Sequence, residues 1–241
     1  MMIWVKRLEL WPGTVEDAKA LQDALRHRVR IVPLKKEPRY VAAVDAAFTH
    51  DKIIAVATLF DRLSMRNIQD IVVREKLCFP YVPGLLTFRE GRAIFNALRK
   101  LKMRPDVTLV DGQGIAHPRR IGIASHIGVI SGTPTIGCAK SRLIGEYEEP
   151  SEEKGSWTYL FDRGEKVGVV LRTRAGVKPL FVSPGHLTDI ASSVRIVMAC
   201  LSRYRIPEPL RRADYISKRM KNAAELRRMR SLSDSGGKDR S

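Results

Sequence analysis

The run YVAAVDAAF, residues 40–48, is apolar at odd and even positions alike. A strand of that kind needs cover on both faces, which places it inside a sheet with structure above and below it. The segments around it supply that cover. Residues 14–29 open with Thr14, Glu16 and Asp17 and then set Ala18, Leu21, Leu25 and Val29 at helical spacing, the pattern of a capped amphipathic helix. KIIAVATLFD (52–61) and NIQDIVVREKLCF (67–79) read as two further strands, and their short connections pair them with the first as an antiparallel meander. A helix over 85–101, a strand over 107–110, a helix over 121–130 and a short strand over 133–140 follow, so the core order is β-β-β-α-β-α-β. After an acidic, turn-rich stretch from Gly145 to Gly155, residues 158–161, 166–172 and 180–182 read as strands. SPGHLTDIASSVRIVMACL (183–201) reads as an amphipathic helix opened by a Ser or Thr cap, and 207–229 as a last, basic helix. The expectation is one α/β domain over 1–230, with a mixed central sheet flanked by helices, and a disordered basic and polar tail over 231–241.

The 241 residues, 44% of them hydrophobic, suffice for one sizeable core. Lys and Arg number 43 against 26 Asp and Glu, and the formal charge of +17 points to a polyanionic partner, nucleic acid ahead of an anionic membrane surface. The start MMIWVKRLELW is broken by Lys6, Arg7 and Glu9, so it makes neither a signal-peptide core nor a membrane span, and the cytoplasm is the expected compartment. Cys78, Cys138 and Cys200 lie far apart with no CxxC pairing, which predicts buried, reduced thiols rather than a disulfide framework or zinc knuckle.

Three acids sit where solvation does not explain them. Asp45 is inside the apolar run, Glu90 lies one turn from Leu86 and Ile94 on a helix's apolar side, and Asp111 ends the 107–110 strand at a Gly112-Gln113-Gly114 turn. Ligands gather outside the carboxyl ends of strands in open α/β sheets. Buried carboxylates need either basic partners of their own or a shared cation. All-oxygen donors without a neighbouring His or Cys pair suit a hard ion such as Mg²⁺ or Mn²⁺. His117 shares the glycine-bounded loop with Asp111, Arg119 and Arg120, and Lys140 ends a strand parallel to the one carrying Asp111. Two nucleotide-binding patterns fail: His117 stands where GxGxxG needs its third glycine, and Cys138-Ala139 where a P-loop needs Lys-Ser/Thr. His27 and His50 read as surface residues, His126 as a packing residue and His186 as part of a helix start. In FPYVPG the prolines stiffen a loop enough for Tyr81 to replace a base in a stack.

VDAAF, PYVPGLLTFRE, LVDGQGIAHPRRIGIASHIGV, PTIGCAKSRLIG and VSPGHLTDIASSV, in this order and spacing, resemble endonuclease V, the deoxyinosine 3′ endonuclease family, from about Val41 to Asp214. The resemblance implies a ribonuclease H-like fold and Mg²⁺-dependent hydrolysis, with Mn²⁺ as a substitute. It implies in-line attack by water on the second phosphodiester bond 3′ of the inosine, leaving a 3′-hydroxyl and a 5′-phosphate. By the same resemblance Asp45, Glu90 and Asp111 are the metal carboxylates, Asp214 a further acidic residue, Lys140 an active-site residue at the attacking water or the scissile phosphate, and His117 one at the phosphate or a second metal. Tyr81 and Pro83 match the strand-separating wedge, and the pocket for the flipped base falls to Gly84, Leu86, Gly112, Gly114 and Ile123. The partner implied is deoxyinosine-containing DNA, bound by a monomer without a membrane. The alternatives are an inosine-specific ribonuclease and a non-cleaving nucleic-acid-binding protein.

Overall fold

The computed structural model describes residues 10–236. The apolar run is strand β1 (Tyr40–Phe48), followed by β2 (Lys52–Asp61) and β3 (Arg66–Lys76) in an antiparallel meander. Before them lies α1 (Val15–Arg26), where the Thr14 side chain accepts from Asp17 N at 3.2 Å and caps the helix. Helix α2 (Leu86–Arg99), β4 (Val107–Val110), α3 (Ile123–Ser131) and β5 (Thr135–Ala139) complete the expected β-β-β-α-β-α-β core. Strands β6 (Trp157–Asp162), β7 (Glu165–Leu171) and β8 (Leu180–His186) and helices α4 (Ile190–Ala199) and α5 (Glu208–Gly236) follow. All eight strands form one sheet in the order β3-β2-β1-β4-β5-β8-β7-β6. Strands β1, β4 and β5 are parallel, so their carboxyl ends open on one edge. This is the ribonuclease H-like arrangement expected from the sequence.

Strand parity decides which layer each side chain meets. Val41 and Ala43 of β1 join Leu109, Ile136 and Val182 under Ile196 and Val197 of α4 and Leu210 of α5. Val44, one position along, joins Val110 under Ala93, Ile94 and Ala97 of α2 and Ile123 and Ile127 of α3. Helix α1 adds a third cluster with Phe79, Leu85, Phe88 and Ile121. A slip of β1 by one residue would exchange the two layers and turn Asp45 into the α2 side, so burial on both faces fixes the register.

Several expectations are corrected. The stretch 183–201 is not one helix: Ser183, Pro184 and His186 pair with Gly137, Ile136 and Thr135 in β8, with a register shift beside Pro184, which has no N–H for a regular ladder. The cap of α4 is Asp189, whose carboxylate accepts from Ser192 N at 2.8 Å. His186 therefore starts no helix; its Nδ1 accepts from Arg30 N at 3.2 Å. Cys138 and Cys200 are buried but Cys78 is exposed. Helix α5 extends through Gly236, into the stretch read as a tail, and 237–241 lie outside the described residues, as does most of the MMIWVKRLELW start. Among the described residues no helix is long and apolar enough to cross a membrane.

Candidate active site

The pairing of β1 with β4 matches Val44 to Val110, and Asp111 N donates to Val44 O at 3.3 Å. Asp45 and Asp111 thus follow a matched pair on parallel neighbours, and their side chains share the face covered by α5. That helix crosses β1 and β2 and brings Asp214 over the same point. One oxygen from each of Asp45, Asp111 and Asp214 lies within 4.8 Å of the other two. Glu90 comes from α2, in the opposite layer, and stands outside this three-oxygen group while remaining buried close enough to feel Asp45 and Asp111. Burial, followed by those two charges, holds its carboxyl well above the ordinary range.

Charge in the group is only partly matched. Lys140 Nζ lies 2.6 Å from Asp111 Oδ2 and 3.2 Å from Asp214 Oδ1, and Lys218 Nζ lies 2.7 Å from Asp214 Oδ2. Burial alone would raise Asp214, but the Lys218 hydrogen bond and Lys140 outweigh it and hold the carboxyl below its usual value. Burial likewise disfavours the Lys140 ammonium, and Asp111 and Asp214 more than offset this. Among the described residues Asp45 has no ion pair of its own: burial pushes it up to about 7, the Ser217 hydrogen bond and the more distant Lys140 oppose the shift, and the charges of Asp111 and Asp214 reinforce it. Converging carboxylate oxygens with surplus negative charge and no sulfur or imidazole donor fit a hard divalent cation, which Asp45, Asp111 and Asp214 could hold.

Beside the acids a cavity of about 370 Å³ is lined by Pro83, Gly84, Leu86, Gly112, Ile123 and Asp111, with Tyr81 at its mouth and Lys140 to Leu143 along one wall. Its rim is the proline-framed loop. Leu85 N donates to Val82 O at 2.9 Å, and Gly84, at φ +78°, occupies the left-handed position that this turn reserves for glycine. Phe79 is buried against Phe88, and Arg89 holds the Phe79 carbonyl at 2.9 Å. Tyr81, between these anchors, is 70% exposed. A rigid base with a projecting aromatic tip is the form a wedge requires.

The endonuclease V family model matches residues 23–215. The chain is 49% identical over 220 residues to endonuclease V of Geotalea uraniireducens, covering 90% of this chain and 92% of the relative. It is 44% identical over 222 residues to that of Dictyoglomus turgidum, covering 92% and 97%. The chain belongs to the endonuclease V family. Crystal structures agree: endonuclease V from Streptomyces avermitilis superposes with a TM-score of 0.85 at 41% identity, covering 89% of this chain and 96% of that one. Endonuclease V from Ciona intestinalis, in complex with a 24mer DNA containing an inosine followed by a ribo-adenosine, superposes at 0.74 with 27% identity, covering 89% and 98%.

Among the endonuclease V residues expected from the sequence, Asp45, Asp111, Asp214 and Lys140 meet at one point, and Tyr81, Pro83, Gly84, Leu86, Gly112 and Ile123 line the adjoining cavity. Gly114 does not line it. A Cβ there would lie 2.0 Å from Pro184 O, and Gly114 N donates to Ser183 Oγ at 2.7 Å, so this glycine serves close packing of the loop on β8. His117 reaches the cavity wall with both ring nitrogens engaged: Nε2 donates to Gly84 O at 2.8 Å and Nδ1 accepts from Arg119 N at 3.1 Å. Burial, offset in part by the Gly84 bond, lowers its pKa to about 4, so it is neutral and braces the Gly84 turn.

Three contributors to this endonuclease V site were not anticipated. Gln22 of α1 is fully buried and donates from Nε2 to Gly84 O at 2.9 Å, so the Gly84 carbonyl has two donors and is committed to the turn. Ser217 of α5 is fully buried and donates to Asp45 Oδ2, and Lys218 pairs with Asp214. A signal was present for the first two. Gln22 lies beside Leu21 and Leu25 on the buried stripe of α1, and Ser217 continues the buried series Leu210 and Ala213 of α5. A polar residue on an apolar stripe has a partner to find.

Proposed function

We propose that the protein is an endonuclease that recognises deoxyinosine in DNA and hydrolyses the second phosphodiester bond 3′ of it, with Mg²⁺ at the carboxylate group. The observation that carries this reading is the position of Asp111, which belongs both to the three-carboxylate group and to the cavity wall. A base seated in the cavity brings its own strand past the acids. The inosine-containing DNA bound by the Ciona intestinalis relative supports the identity of that base.

Asp45, Asp111 and Asp214 would hold the cation, and a cation there would favour ionisation of the Glu90 carboxyl that burial and its neighbours hold well above the ordinary range. The chemistry a bound divalent ion supplies is charge neutralisation at the phosphate and a lowered pKa for a coordinated water. Lys140, once parted from Asp111, has an ammonium free to donate to a phosphate oxygen or to the attacking water. Tyr81 would fill the gap left in the stack by the displaced base, and Gln22 and His117 hold its loop against the strain. Hypoxanthine presents an N1–H donor where adenine presents an acceptor. A main-chain acceptor matched to it leaves adenine unpaired at a cost of about 1–3 kcal/mol.

A 5′-labelled duplex with one inosine, incubated with Mg²⁺, tests this. The expected result is one nick at the second bond 3′ of the inosine, a 3′-hydroxyl product, and no cut in an adenine control. Equal cutting of both strands would contradict it. A second reading, hydrolysis of inosine-containing RNA, draws support from the ribo-adenosine that follows inosine in the Ciona intestinalis complex. Matched all-DNA, single-ribonucleotide and RNA strands separate the two, because cleavage confined to strands with a 2′-hydroxyl assigns the protein as a ribonuclease.

A further inference from the structure

Helix α5 supplies Asp214 to the carboxylate group, and three residues later it presents a fully buried Ser217 whose hydroxyl donates to Asp45 Oδ2. The same hydroxyl lies 3.0 Å from Asp214 O, one turn back along the helix. The hydroxyl has a single proton, so the two acceptors share it or compete for it. A serine inside a helix is ordinarily satisfied by the carbonyl a turn before it, so folding α5 does not require Asp45 as an acceptor. Among the described residues Ser217 is also the donor that reaches the Asp45 carboxylate, whereas Asp111 has Lys140 and Asp214 has Lys140 and Lys218. The start of the helix is fixed separately, by Thr58 Oγ1 of β2 donating to Pro209 O at 3.1 Å. Ser217 is thus placed to act on the orientation of Asp45 rather than on the docking of α5.

We infer that Ser217 is a positioning residue for the cation site: by engaging Oδ2 it fixes the rotation of the Asp45 carboxylate and directs the other oxygen toward Asp111 and Asp214. The inference rests on the reading of Asp45 as a cation ligand. A partner that orients a metal-binding group without touching the metal typically governs affinity by about 10- to 100-fold. The loss on removing it falls on how much cation the protein needs, more than on the rate once the site is full.

The test uses the full chain with Mn²⁺ as the probe, without nucleic acid, read by the electron paramagnetic resonance of free Mn²⁺. It is paired with the Mg²⁺ concentration for half-maximal nicking of an inosine duplex. Ser217→Ala is expected to weaken Mn²⁺ binding about 10- to 100-fold and to raise the half-maximal Mg²⁺ by a similar factor. Ser217→Thr, which keeps the hydroxyl, is expected to restore both. Ser217→Cys keeps the shape with a weak donor and covers the case in which Ser217→Ala fails to fold; it should fall between alanine and wild type. Asp45→Asn is the control. If Asp45→Asn loses Mn²⁺ while Ser217→Ala and Ser217→Cys bind like wild type, the inference is overturned and the site stands. If Asp45→Asn itself binds Mn²⁺ like wild type, the reading of the site fails first.

Discussion

Two regions of this molecule bury charge, and they do it in opposite ways. Arg172, 6% exposed, donates to Ser151 O at 3.1 Å, Val177 O at 2.8 Å, Pro150 O at 2.9 Å and Glu149 Oε1 at 2.8 Å. All three guanidinium nitrogens donate, through four of the five N–H groups, and Arg172 staples the acidic loop before β6 to the sheet. At the carboxyl ends of β1 and β4, Asp45, Asp111 and Asp214 converge with Glu90 behind them, and among the described residues Lys140 and Lys218 are the cations that pair with the three aspartates. The first charge is complete within the fold and the second is not. A chain that can satisfy Arg172 with four acceptors could have satisfied Asp45, so the deficit marks where a ligand belongs.

The largest test of the contrast is removal of one member on each side. Asp111→Ala is expected to cut nicking of an inosine strand by more than about 100-fold, the upper end for losing an outer partner of a metal ligand, while binding of the strand persists in Ca²⁺. Unimpaired nicking would erase the distinction. Arg172→Met is expected to do the reverse. It should lower unfolding free energy by roughly 2 kcal/mol through the stranded carbonyls, measured by urea denaturation, with the nicking rate of the folded fraction unchanged. Tyr81→Ala removes an exposed ring that stabilises nothing, so the melting temperature should hold while cleavage weakens by about tenfold, the scale of one base–aromatic stack. A fall in melting temperature would make Tyr81 part of the fold.

The smallest effect concerns buried histidines. Burial holds His126, between the rings of Trp11 and Phe88, down to about 3, and His117 down to about 4, against an ordinary value of 6.5. The unfolded chain takes up their protons first, so their contribution is intact above pH 6.5 and is lost as pH falls toward the folded values. Asp45 runs the other way, its contribution being present below 3.8 and lost as pH rises through about 7. His126→Leu should therefore lose about 1 kcal/mol less than wild type between neutrality and mild acidity. Chemical denaturation at both pH values reads the difference.

Much of this was legible in the sequence for a physical reason. Asp45, Glu90 and Asp111 each interrupt an apolar pattern whose period gives away burial, and the two-sided pattern of β1 places it mid-sheet. Asp214 had no such signal, because it lies on a helix dominated by basic residues, and only its family resemblance singled it out. The misreading of Ser183 to His186 came from Pro184 and Gly185, which look like a helix start until the distant pairing with β5 claims them. Gln22 and Ser217 went unassigned because their acceptors, Gly84 O and Asp45 Oδ2, are remote in the chain and spacing does not reveal them.

If the carboxylate group is incomplete until a cation joins it, thermal unfolding at pH 8 reads the deficit. In EDTA, Asp45→Asn should melt above wild type, because asparagine keeps an acceptor for Ser217 and cannot carry the charge that burial penalises in Asp45. With Mg²⁺ added the order should reverse, since wild type gains the linkage energy of binding and Asp45→Asn does not. A wild type that melts at the same temperature with and without Mg²⁺, or an Asp45→Asn that melts below it in EDTA, would show that the carboxylate group is complete without a cation.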